Sequence, residues 1–419
     1  MRLPIILLAT TALALPASAA DLGVLTSLDV CDTLGITGLA ISSETNCLQI
    51  SGEFYYEFHH GDYKGALPVL SSAYSGTIDW VDNDGAANDW DGWIDTYLKA
   101  VGTAASDFGP AKATIEIYGY SYAEAQNLVV APDNGLELDQ AFVSVGDSTV
   151  LTAGLVADSI FNQDDDTAFG WLASFISDET DGVAIDGGTG TYGTGGHSIQ
   201  LTSKIAEGLT AGIALENLDA DGSLIGVLNY ANESLTAHVS VLAGDVLDGT
   251  FDDLAIHSGV TATFDGFKVR GAFAANNSGW WNALAGVEAT LDMFTLAATV
   301  DGTSENEFAV VGSVETKLND SFTVKLAARY LDGDTTISND EGSEVRGRIE
   351  YAATETVTLS AEAGYLSTGA AAPSGTQSIT DGLLELSWIP GGGFESSVAI
   401  AANSLGAYKA SFKASKTYE

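Results

Sequence analysis

Basic residues are scarce in this chain. Lysine and arginine together fill 15 of 419 positions against 57 for aspartate and glutamate, a formal charge of −42. So acidic a chain repels phosphate, which excludes nucleic acid as a partner and polybasic docking on anionic lipid. Proline occupies seven positions and charged residues only 17% of the chain, while 46% is hydrophobic, which excludes intrinsic disorder. After the first twenty residues there is no apolar run of about 18, so no helix is long enough to cross a bilayer. That absence leaves a β-barrel open, because barrel strands alternate and never form such a run. Cysteine occurs twice, at Cys31 and Cys47, too few for a thiolate metal site.

What is present begins with a leader. Arg2 precedes an apolar stretch from Ile5 to Leu15, and Ala17-Ser18-Ala19 forms a small-x-small cleavage pattern. Residues 1–19 therefore read as a secretory signal peptide, with Ala20 opening the exported chain. In an oxidising compartment Cys31 and Cys47 are expected to join, closing a segment at 20–47 and contributing roughly 3 kcal/mol by loop entropy.

From Leu48 to the end, at 48–419, the dominant period is two. Leu48, Ile50, Gly52, Phe54, Tyr56 and Phe58 share a face, and Phe322, Val324, Leu326, Ala328 and Tyr330 do the same. Val345, Gly347, Ile349 and Tyr351 repeat the pattern, as do Tyr408, Ala410, Phe412 and Ala414. Strands of about ten residues with one apolar face fit a tilted bilayer crossing. On this basis Ala328→Arg should be costly and Ala327→Arg, on the polar face, nearly neutral. Tight turns fall at Gly146-Asp147, Glu207-Gly208, Asn232-Glu233, Asp265-Gly266, Asn319-Asp320 and Pro390 to Gly393. Long segments rich in Asp, Gly and Asn fall near 59–92, 157–195, 332–342 and 367–379. Short turns on one side and long loops on the other are the asymmetry of an outer-membrane barrel. Counting every segment allows up to twenty strands. Trp280, Trp281 and Trp388 suit an aromatic girdle, and Lys416 can snorkel from the last strand.

Several of these residues resemble the alphaproteobacterial general porins of the rhizobial type. The likeness lies in Leu28-Asp29-Val30-Cys31-Asp32, in Glu44 to Gly52 around Cys47, and in Ala141-Phe142-Val143 with Thr152-Ala153-Gly154 and Ser159-Ile160-Phe161. The chain departs from the pattern at its end, where Tyr418-Glu419 stands in place of a terminal aromatic. The resemblance implies an all-β transmembrane antiparallel barrel of 16 strands whose third outer loop folds inward. It also implies a homotrimer in the outer membrane, in contact with its lipid, passing small hydrophilic solutes and ions.

The charged residues fall into two groups. Lys268, Arg270, Lys325, Arg329, Arg346 and Arg348 occupy polar strand faces and form a basic wall. Asp158, Asp164, Asp165, Asp166, Asp178, Glu179 and Asp181 belong to the third long segment and form the constriction loop. Strands half a barrel apart face each other, so the two groups are expected to oppose one another across the lumen and set up a transverse field.

Other motifs carry less. Gly188 to Gly193 matches GxGxxG without a surrounding βαβ unit and reads as loop. Asp82-Asn83-Asp84-Gly85 with Asp89 and Asp91, in the acidic stretch 79–95, resembles calcium ligands but lacks the bidentate Glu. His59-His60 reads as a strand end, and His257-Ser258 cannot form a dyad because neighbouring strand residues point to opposite faces.

No catalytic residues, cofactor or metal are expected. The reading is a water-filled passive channel with weak cation preference. The rival readings are a secreted acidic adhesin or glycan-binding β-protein and, ranked last, a barrel enzyme.

Overall fold

A computed structural model describes residues 29–62, 89–124, 133–161, 167–177, 183, 194–333, 342–368, 377–404 and 406–419. A five-residue helix, Asp29–Thr33, and a three-residue strand, Ala40–Ser42, precede twenty longer strands, the first Asn46–Asp62 and the last Tyr408–Tyr418. Each long strand pairs antiparallel with its sequence neighbours. The first also pairs with the last, from Gly52 opposite Tyr418 to Asp62 opposite Tyr408, and this closes the sheet into a barrel without free edges. The strand Ala40–Ser42 continues the edge beyond Tyr418 by pairing with Cys47 to Gln49. Cys31 and Cys47 form the expected disulfide, with Cα atoms 5.0 Å apart.

Twenty strands replace the sixteen that the resemblance implied. The additional segments are separate strands, several of them joined by short connections at both ends. Glu216 leads to Ser223, Asn276 to Trp281 and Thr303 to Phe308 in a few residues, and each strand so joined bonds to its own two neighbours. Turn counting had allowed this number. At the opposite end the tight turns fall where the Gly, Asn and Asp pairs placed them, with Gly146, Gly208 and Gly266 in the left-handed region. Asn319 Oδ1 accepts from the amides of Ser321 and Phe322, an Asx turn.

Alternation sorts the two faces. Leu326, Tyr330, Val345, Ile349, Leu359 and Tyr365 are exposed, whereas Ala327, Arg329, Glu344 and Arg346 are buried. An exposed apolar outer face and a polar inner one are what lipid outside and water inside select. The pattern survives one irregularity by changing parity. Glu116 pairs with Gln140 but Ile117 with Leu138, so Asp139 is unopposed. This bulge keeps Leu136 and Leu138 on the outer face together with Val143, although their numbers differ in parity.

Buried apolar side chains gather where the long connection after Thr149–Val156 lies on the polar face of the wall. Phe161 packs with Ala214, Ile225, Leu242 and Ala255. Leu172 packs with Val311 and Ala327, and Phe175 with Ala309, Leu331 and Leu366. Val183 packs with Ala272, Ala274 and Leu284. Ala327 is therefore covered, and an Arg there would be forced into Leu172, contrary to the expectation from alternation.

Candidate site: the charged wall and the 157–195 segment

Basic residues sit where the strands aim them, on the polar face, but they do not stand alone. Lys268 Nζ lies 2.8 Å from Glu288. Lys325 is shared between Glu315 and Glu350. Arg348 reaches Glu350 at 2.8 Å, with Glu362 and Glu385 farther off. Antiparallel pairing creates these contacts: Lys325 is the cross-strand partner of both Glu315 and Arg348, and Arg348 of Glu362. The carboxylates were present in the sequence, yet only the register shows that each stands beside a cation.

Arg346 is the centre of this ladder. It is 2% exposed and donates to Glu344 at 2.7 Å, to Glu362 at 2.7 Å, and in a two-pronged bond to Asp381 at 2.9 and 3.0 Å. Glu344 also accepts from Arg329 Nε at 2.7 Å, so one carboxylate joins two guanidinium groups. A planar fork with five donors is suited to such sharing, which a lysine could not reproduce. The cross-strand partner of Arg346 is Gly364. A Cβ at Gly364 would stand 2.6 Å from the guanidinium, so the glycine makes the space that Arg346 fills.

Two of the bases, Arg270 and Arg329, meet the segment in direct contact and not across open space. Arg270 donates to the Thr167 carbonyl at 2.8 Å and lies 4.5 Å from the Phe169 ring centre. Arg329 donates to the Ala173 carbonyl at 3.2 Å and lies 4.1 Å from the centre of Phe175. The physical reason is that a guanidinium has five donors and a planar face, so carbonyls and rings of the segment can take what the wall's own carboxylates leave over. Asp158 is described, but its carbonyl oxygen, not its carboxylate, takes the identified bond, from Gln200. Asp164, Asp165, Asp166, Asp178, Glu179 and Asp181 lie outside the described residues, as do the signal segment, Asp82 to Gly85 and Gly188 to Gly193.

Two carboxylates that sequence reasoning passed over hold the segment. Glu216, fully buried at a strand end, accepts from the Ile160 amide at 3.1 Å, the Gly195 amide at 2.6 Å and Gln200 Nε2 at 3.0 Å. It thus ties the two stems of the connection together. Asp301 accepts from Ser174 Oγ at 2.7 Å and the Ser177 amide at 3.0 Å. Nothing local marks either residue, because both serve partners far away in sequence. Of the histidines, His59 is buried between Glu57 and Ser411, and His257 faces inward against the Val183 carbonyl. Among the described residues no cluster of His, Cys, Asp or Glu has metal-ligand geometry.

On this wall five cations, Lys268, Lys325, Arg329, Arg346 and Arg348, meet seven carboxylates: Glu288, Glu315, Glu344, Glu350, Glu362, Asp381 and Glu385. With Arg270 and Asp301 counted the wall carries a small excess of acid, and more acid resides elsewhere. At the loop end Asp245 has its carboxyl raised above the ordinary range by partial desolvation and by Asp253, Asp221, Asp252 and Asp248 nearby.

A closed antiparallel barrel with an apolar outer face, a charged inner face and a segment bonded to that face defines a membrane-spanning β-barrel protein. The model of a porin subfamily matches residues 27–383, and the chain belongs to that family of outer-membrane, non-enzymatic channels. No curated protein sequence matches. Among solved structures, OccAB3 of Acinetobacter baumannii is 12% identical, over 88% of this chain and 99% of that one, with a TM-score of 0.47. OccK11 (OpdR) of Pseudomonas aeruginosa is 10% identical over 88% and 95%, with a TM-score of 0.45. A variant of the Rh. blastica porin is 11% identical over 88% and 100%, with a TM-score of 0.38.

Proposed function

We propose that this porin is a passive diffusion channel for small hydrophilic solutes and ions, with weak cation preference. In this reading residues 1–19 are a cleaved signal peptide, and 20–47 are a disulfide-looped segment before the barrel at 48–419. The segment 157–195 is an inward-folded third outer loop that narrows the lumen. The observation that carries the reading is the bonding of Thr167 and Ala173 to Arg270 and Arg329, side chains of the polar face. Asp164, Asp165, Asp166, Asp178, Glu179 and Asp181 then add acid beside a wall whose own excess of acid is small, and this tips the field toward cations. The solute's own gradient drives passage, so no cofactor is involved. A homotrimer of the alphaproteobacterial general type follows from the resemblance around Cys31 and Cys47.

Single-channel recording in a salt gradient tests the selectivity. The reversal potential should lie on the cation side and move further that way at low salt, where the Debye length grows. Replacing Asp164, Asp165 and Asp166 with Asn should move it toward anions. An anion-preferring wild type, or one indifferent to the triple change, would overturn the assignment of these acids to the constriction. Light scattering of the detergent-solubilised protein checks the trimer.

A further inference from the structure

Opposite in character to the charged wall is a strip of aromatic rings on the strands Asp89–Ser106 and Gly109–Glu124. Tyr97 and Tyr118 are cross-strand partners whose rings stack with centres 4.8 Å apart and planes 27° apart. Tyr120 extends the stack, 5.7 Å from Tyr118. Trp93 continues the same face, 5.3 Å from the His59 ring. These residues share their alternation with the inward Asp95 and Lys99, while Leu98 and Ile115 point outward. Tyr97 is nonetheless 37% exposed, so its ring borders open lumen. The described contacts of the 157–195 segment fall on other strands.

The strip is held in place. Tyr118 donates its hydroxyl to Asp95 at 2.6 Å. Tyr120 lies over Gly135, where a Cβ would stand 2.2 Å from the ring, so only glycine leaves room for it. Glu53 is the cross-strand partner of Tyr97 and Asp95 precedes it by two on the same face, while the cation Lys99 is bound to Glu116 at 2.8 Å. Ring faces are negative at their centres, and carboxylates at the edges add to that field. The acids disfavour anions, and a neutral sugar gains no charge attraction from them.

We infer that Trp93, Tyr97, Tyr118 and Tyr120, with Asp95, form a subsite for organic cations bearing ammonium groups on their way through the lumen. The inference rests on the channel reading above and adds a substrate class to it. An ammonium group seated on the outer tyrosine faces is held by cation–π attraction and by the carboxylates, while its hydration stays largely intact on the open side.

The test is current block of the full-length channel in planar bilayers by spermidine, with maltotriose and tricarballylate as neutral and anionic probes. Spermidine should block at lower concentration than either. Tyr97→Leu and Tyr120→Leu should each weaken its block about two- to five-fold, Tyr97→Phe less than two-fold, and Asp95→Asn measurably. Heat-modifiable gel migration verifies that each variant is folded. Block by maltotriose equal to that by spermidine would overturn the inference. So would spermidine block that is unchanged when Tyr97→Leu and Tyr120→Leu are combined in one chain, whatever Asp95→Asn does, since charge alone would then account for it. A folded protein that does not conduct would instead overturn the channel reading.

Discussion

The two sides of this barrel solve the problem of a polar interior differently. The N-terminal wall is built of long strands, 17 residues in Asn46–Asp62 and 18 in Asp89–Ser106, with tyrosines and, apart from the buried Glu57, partly exposed acids such as Glu53 and Asp95 on its inner face. The wall from Leu254 to Thr368 has strands of 10 to 12 residues, and apolar side chains of the 157–195 segment lie against it. Where that cover excludes water, every charge needs a partner, and Arg346 has three carboxylates around it. Where water is admitted, Tyr97 and Lys99 remain accessible. Burial, more than composition, decides which charges are structural and which are available to solutes.

The comparison breaks most severely at Arg346. Arg346→Ala would leave Glu344, Glu362 and Asp381 buried without their common cation, and should cost about 3–5 kcal/mol. Lys99→Ala on the other wall removes a partly exposed pair and should cost about 1 kcal/mol or less. Equal losses in urea refolding into lipid vesicles would show that the two walls do not differ in burial.

A second contrast lies between the two faces of one strand. Ala328→Arg places a cation toward lipid and should cost about 2–4 kcal/mol if it lies near mid-bilayer. Ala327→Arg must displace Leu172 and should cost about 1–3 kcal/mol by overpacking, with a lowered single-channel conductance as the segment is pushed off the wall into the lumen. Refolding and conductance measured together separate the two, because only Ala327→Arg should change the current. Unchanged conductance would mean that Leu172 does not report on the segment.

The smallest effect on the channel concerns the extension outside the barrel. Replacing Cys31 and Cys47 with Ser should lower the protection of Asp29–Ser42 against proteolysis, by the roughly 3 kcal/mol of loop entropy released. Conductance should be unaffected. A variant that loses current would show that this segment supports the pore.

Much of the architecture was legible because the period of two is a local property. Leu326, Ala328 and Tyr330 announce a lipid-facing strand wherever the strand sits, and Asn319-Asp320 announces a turn. The number of strands was less legible, since resemblance pointed to sixteen while the turns allowed twenty, and only pairing between neighbours shows that each segment is its own strand. The basic residues were found but their surroundings were not. Nothing near Arg346 in sequence says that Asp381, 35 residues away, will meet it, and Glu216 carries no mark of its two amides.

By itself, then, the sequence determined that this chain is an acidic barrel with an apolar outer face, a turn side and a loop side, and a disulfide where the first long strand begins. Alternation, turn chemistry and the two lone cysteines act over a few residues each, so they can be read in order along the chain. Only the tertiary structure decided how the interior is arranged. Closure of the sheet brings Asn46–Asp62 against Tyr408–Tyr418, register sets Arg346 among carboxylates from neighbouring strands, and the 157–195 segment takes Arg270 and Arg329 for its carbonyls. Apart from Glu344, on the strand of Arg346 itself, those contacts join residues from about 15 to more than 350 positions apart, and no local pattern encodes them, because buried charge pairing depends on which surfaces end up excluded from water.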